Sequence, residues 1–130
     1  MLTISNNNII RVTRGDSFTL SFTVHDLVND VNVNDDVLLH SGDSLYFGLM
    51  EPNMPFEHAL IRKKITAEED MREVTIEFKP EDTECLLPGL YYYSVKIGRD
   101  FVDDDPSDDT PPRPTHVSTL IKKTKFYIID

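Results

Sequence analysis

The sequence predicts an all-β fold, an antiparallel β-sandwich of about seven strands. Apolar and polar residues alternate with a period of two in segment after segment, as strands with one buried face require. Clusters of Gly, Pro, Asn and Asp interrupt these segments at short intervals and supply turns. No stretch repeats its apolar residues at a helical period, so no long helix is expected.

The 130 residues are read as one domain, 1–130. A chain of this size buries roughly two-thirds of its unfolded surface. Cys85 is the single cysteine, which excludes an internal disulfide and a Cys-rich metal site, so stability must come from apolar packing. Its neighbours Leu86 and Leu87 predict a buried structural thiol.

Ile9, Ile10 and Val12 form a first short strand, and Gly15-Asp16 supplies the turn after it. "SFTLSFTVH" follows, with Phe18, Leu20, Phe22 and Val24 on one face and Ser17, Thr19, Ser21 and Thr23 on the other. "DLVNDVNVNDDVLLHSGD" is a long Asn- and Asp-rich connection that Ser41-Gly42-Asp43 closes. "SLYFGLM" turns Leu45, Phe47 and Leu49 inward, and the two prolines of "EPNMPFE" end that strand. "HALIRKKIT" and "REVTIEFK" are strands joined by the acidic turn "AEEDM", with Val74, Ile76 and Phe78 inward in the second.

"PEDTECLLPG" suits one helical turn, because Pro80 fits a first helical position and Glu81 and Asp82 favour a helix start. At this corner Gly89 lets the chain reverse, and Leu86 and Leu87 plug the end of the sandwich. "LYYYSVKIG" sets Tyr91, Tyr93 and Val95 opposite Leu90, Tyr92, Ser94 and Lys96, and one of the three tyrosines bonds back to the turn. Residues 99–114, "RDFVDDDPSDDTPPRP", read as a mobile acidic, proline-rich loop with too little apolar content to order itself. "THVSTLIKKTKFYIID" closes the chain as one long strand or two short ones.

The net charge of −10 repels phosphate backbones and argues against nucleic acid as a partner. The clusters Arg62-Lys63-Lys64 and Lys122-Lys123-Thr124-Lys125 lie within strands and read as solvated faces. "MLTISNNNII" lacks the basic start and apolar run of a signal peptide, and no stretch reaches the ~20 apolar residues of a membrane span. The expectation is a water-soluble chain made in a cytoplasm, with no membrane partner.

Few residues look like a site. Arg14-Gly15-Asp16-Ser17 matches the tetrapeptide that adhesion proteins present to integrins, but its position between two strands favours a turn. Asp103, Asp104, Asp105, Asp108 and Asp109 offer oxygen ligands for calcium, without the central glycine and closing glutamate of a helix-flanked calcium loop. His25, His40, His58 and His116 form no spaced ligand pair. Ser17, Ser41 and Ser44 lack a nucleophile-elbow pattern, and Glu68-Glu69 and Glu81-Asp82 sit in turns. No catalytic residue, cofactor site or metal site is assigned, and no enzyme is expected. Sugar binding needs exposed aromatic residues; Tyr46, Tyr92 and Tyr127 are candidates, and tryptophan is absent.

Three stretches carry a family resemblance. "RGDSFTLSFTV" looks like the opening of Ig-like domains in bacteriophage virion proteins. "VTIEFKPEDTECLLPGLYYYSVKI" is similar to their pattern of apolar strand, P-E-D-T turn and L-P-G-x-Y-Y-Y strand start. "HVSTLIKKTKFYI" resembles their closing strands, as in the N-terminal domains of baseplate upper proteins. An antibody-type domain is excluded, since the paired cysteines and the strand tryptophan are absent. The resemblance implies an Ig-like sandwich in a virion, serving a tail baseplate, a fibre attachment or capsid decoration. It would act by docking on other virion proteins and by symmetric self-association. The alternatives are a carbohydrate or cell-surface binding module and a bacterial protein with a related sandwich.

Overall fold

In the computed structural model, which describes residues 2–24, 37–102 and 112–130, alternating side chains sort the chain into two sheets with a shared interior. The strands are β1 (Leu2–Ile4), β2 (Ile10–Thr13), β3 (Phe18–Thr23), β4 (Ser44–Met50), β5 (Ile61–Thr66), β6 (Glu73–Phe78), β7 (Gly89–Val102) and β8 (Arg113–Ile129). A one-turn helix, α1 (Pro80–Glu84), joins β6 to β7, and a short 3-10 turn spans Phe56–His58. The larger sheet has six strands in the order β1-β2-β8-β7-β4-β5, and β3 and β6 form a second, two-stranded sheet.

The fold is all-β, as the periodicity predicts. It has eight described strands where about seven were expected, and they divide unequally. The extra strand is β1, whose three residues are too short and too exposed to show a period. Every pair is antiparallel except β2 with β8, which run parallel from Ile10↔Phe126 to Thr13↔Ile129. The last strand of the chain thus sits between its second strand and β7.

Rings join the two sheets. Phe18 and Phe78 of the small sheet stack at 4.6 Å between centroids, and Phe78 meets Phe47 of β4 edge-on at 5.1 Å. Tyr93 links Phe47 to Phe126 at 5.8 and 5.9 Å. Offset-stacked and edge-to-face pairs of this kind add about 0.5–1.5 kcal/mol each beyond the area they bury. The inward residues read from the sequence in β3, β4, β6 and β7 all take part in this core or pack against it.

Three local expectations are corrected. Cys85 is exposed, not buried. It caps the end of α1, and Thr83 is the helix residue that turns inward, its Oγ1 accepting the Gly15 N–H at 2.9 Å. Leu86 packs against the core, but Leu87 is 76 % exposed and plugs nothing.

The loop drawn over 99–114 is shorter than expected, because β7 and β8 continue past the sheet as a two-stranded arm. Arg99↔His116, Phe101↔Pro114 and Val102↔Arg113 are paired. Thr115 Oγ1 donates to Asp100 O at 2.7 Å, and His116 Nδ1 lies 2.9 Å from Asp100 Oδ2. Such a ribbon has solvent on both faces, so it shows no apolar alternation. Residues 103–111, and with them the expected mobility, lie outside the described residues, as do residues 25–36 of the long connection. Where that connection re-enters, Leu39 bridges Met71, and the buried Leu38 and Leu39 complete the core.

Candidate functional site

Glycine at 15 takes φ +82, a left-handed turn conformation, and the Asp16 N–H donates to Thr13 O at 3.1 Å. Arg14 Nη2 bonds Asp130 Oδ1 at 3.1 Å, and the Gly15 amide is held by α1. The Arg-Gly-Asp tripeptide is therefore a bend between β2 and β3 fastened at both sides. Its arginine points to the chain's last residue instead of splaying from a loop tip.

The corner between β6 and β7 is built around Asp82. Its Oδ2 accepts the Lys79 backbone N–H and the Lys63 ammonium, each at 2.8 Å. Burial alone would raise its pKa; the bonds from Lys63 and Lys79 and the charges of both lysines overcome that and hold the carboxyl below its ordinary 3.8. Lys63 therefore does not belong to a solvated face with Arg62 and Lys64. It lies on the inner side of β5 and threads past the Phe78 ring, 5.3 Å from its centroid, to reach Asp82. Of the three consecutive tyrosines, Tyr91 bonds back to the turn, its hydroxyl donating to Leu87 O at 2.7 Å. Burial, and secondarily the charge of Glu51, raise its pKa above the ordinary 10.0. Tyr93 reaches instead across the sheet to Asn8 O.

The histidines stay apart. His40 faces Asp70 at 3.5 Å, His116 pairs with Asp100, and His58 lies in the 3-10 turn. Among the described residues no group of three or more His, Cys, Asp or Glu is gathered as a metal site. His25 and the aspartates weighed for calcium fall outside the described residues. Tyr127 lies beneath the Arg11 guanidinium at 4.6 Å, and Tyr46 beneath Lys64 at 5.6 Å, so each ring carries a cation near one face.

One feature open to a partner is a backbone edge. β8 is paired with β7 along its length, but β2 covers its other side only from Phe126 to Ile129. Among the described residues, 115–125 have no strand on that side. Val117, 58 % exposed, stands on this stretch, and Val102 is exposed on the strand beside it. An uncovered edge of this length presents backbone N–H and C=O groups to any extended chain that approaches. Sequence reasoning identified the strand but not the edge, because nothing in the residues of β8 says how far β2 extends along it. No protein-family model, no curated protein and no solved structure matches the chain.

Proposed function

We propose that the chain is an Ig-like structural module of a bacteriophage particle and that it assembles with neighbouring virion subunits through the open edge of β8. The sequence resemblance motivates the reading, and the strand order supports its Ig-like part. β3 and β6 pair as the B and E strands of such a sandwich do, and β4, β7 and β8 lie together as C, F and G. The chain crosses between sheets at β2–β3, β3–β4, β5–β6 and β6–β7. The hydroxyl of Tyr91, near the start of β7, bonds back over the corner as a tyrosine corner does.

The observation that carries the assembly reading is the side of β8 over residues 115–125, which no strand covers among the described residues. The partner is an extended segment of an adjoining subunit that adds a strand there, its backbone satisfying the edge and Val117 seated against it. The test is incorporation into particles. Purified virions carrying the chain are expected to contain it in fixed stoichiometry by mass spectrometry, at one location by antibody labelling in electron micrographs. Val117→Lys leaves the isolated protein folded and lowers incorporation, because an edge lysine opposes strand addition. Absence of the chain from purified particles overturns the proposal.

A further inference from the structure

We propose that the pocket between β4, β5 and the 3-10 turn is a second, independent site that binds an acidic sugar, a pyranose ring bearing a carboxylate. The pocket has a volume of about 470 Å³, within the range of about 300–1,000 Å³ usual for small-ligand sites. It exists because β4 carries glycine at position 48. A Cβ there would stand 2.7 Å from Phe56 Cε2 and 3.2 Å from Ala59 Cβ, so a larger residue would push the turn off the strand. Arg62 of β5 pins the turn from the other side, its Nε donating to Ala59 O at 3.3 Å and its Nη2 to Glu57 O. The walls are thus held before any ligand arrives.

Tyr46, Phe56 and Lys64 line this space, and Lys96 and Phe101 adjoin it through contacts with Phe56 and Lys64. Lys96 Nζ lies 4.6 Å from the centroid of Phe56. Lys64 Nζ lies 5.6 Å from that of Tyr46 and 5.8 Å from that of Phe101. Among the described residues, neither ammonium has a carboxylate within ion-pairing distance. Lys63 contributes only its stem, because its ammonium is spent on Asp82. Positive charge that meets no carboxylate among the described residues is notable in a chain of net charge −10, where solvent-facing cations have many acids to meet.

The chemistry narrows the ligand. Aromatic walls suit a flat apolar surface such as the C–H face of a sugar ring. Lys64, Lys96 and the remaining N–H donors of Arg62 offer positive charge to a carboxylate. A neutral sugar leaves those cations unused. A nucleotide fits less well: among the described residues no run of glycine amides lines the pocket to cradle phosphates, and the acidic chain repels a multiply charged ligand more strongly than a monoanion. Glu57 is the one acid in the lining among the described residues and opposes any anion there.

The experiment is a titration of the 15N-labelled protein followed by NMR, with N-acetylneuraminate and glucuronate as probes and methyl glucoside and AMP as contrasts. The acidic sugars are expected to shift the amides of Tyr46, Gly48, Phe56 and Lys64 saturably, with Kd on the order of 1 mM. Lys64→Glu and Lys96→Gln, both side chains at the protein surface, each weaken binding, the charge reversal by about tenfold or more. Glu57→Gln changes affinity in the opposite sense and strengthens it. The inference is overturned by absent shifts, by equal shifts with methyl glucoside, by tighter binding of AMP, or by lysine variants that stay folded and bind as before. The pocket lies toward the β4–β5 end of the sheet and the open edge on the far side of β8 from β7, so sugar binding and particle incorporation can fail independently.

Discussion

Asp82 caps α1 through the Lys79 N–H and at the same time answers the only lysine on the inner side of β5. The sequence shows the first role, since Pro80-Glu81-Asp82 is a helix start; it hides the second, which depends on how β5 lies against the corner. The depressed pKa gives that second role a signature. The folded state holds the Asp82 proton more weakly than the unfolded chain, so this group's stability is complete above 3.8 and drains as pH falls through the lower folded value. Asp82→Asn keeps an oxygen for Lys79 but loses the ion pair. It is expected to lower the unfolding free energy by about 1 kcal/mol near neutrality. Urea unfolding across the acid range should show the gap from the parent protein closing as Asp82 becomes protonated. A gap that is constant with pH would mean that the charge of Asp82 is not what stabilises the corner.

β8 shows how an element can be legible in kind and illegible in detail. Its closing residues Phe126 and Ile128 alternate inward, but upstream of them both Leu120 and Ile121 are buried, which no period of two allows. The register with β7 slips twice, between Tyr93/Val95 and Val95/Lys96, and each slip gives β8 an extra residue. That irregularity is why the sequence leaves one long strand and two short ones as equal readings. It also predicts a sharp contrast between neighbours. Leu120→Ala opens a cavity in the core and is expected to cost about 2–5 kcal/mol in denaturant unfolding. Thr119→Ala, on the exposed residue beside it, should stay within about 0.5 kcal/mol. Similar costs for the two would show that Leu120 is not packed as a core residue. The same element accounts for the misplaced loop: the arm beyond Gly98 is held by backbone pairing and by Thr115 and His116 on Asp100, and these leave no mark in hydropathy.

At the scale of the whole molecule, face-by-face alternation makes the layers legible and leaves their assembly illegible. Each strand announces which side is greasy, but the six-and-two division depends on pairings between segments far apart in sequence. The parallel seam between β2 and β8 is the longest-range of these. It is also where the molecule closes. The Arg14 N–H donates to Ile129 O at 2.7 Å, and Phe126 carries the aromatic contact from Tyr93 to Phe18 and so from one sheet to the other. Removing residues 126–130 would strip β2 of its inner neighbour, leave β1 and β2 paired with no other strand, and open the core under two buried side chains. The chain ending at residue 125 is therefore expected to lose cooperative thermal unfolding. Deleting Asp130 alone should cost no more than about 1 kcal/mol, because it removes only a solvent-exposed ion pair with Arg14. Both are read by circular dichroism melts. If the shorter chain melts cooperatively near the parent midpoint, the seam is an accessory to the fold, and the open side of β8 could then extend through residue 125 to the end of the strand. A non-cooperative melt shows the seam to be structural and leaves residues 115–125 as the proposed docking edge, which Val117→Lys tests.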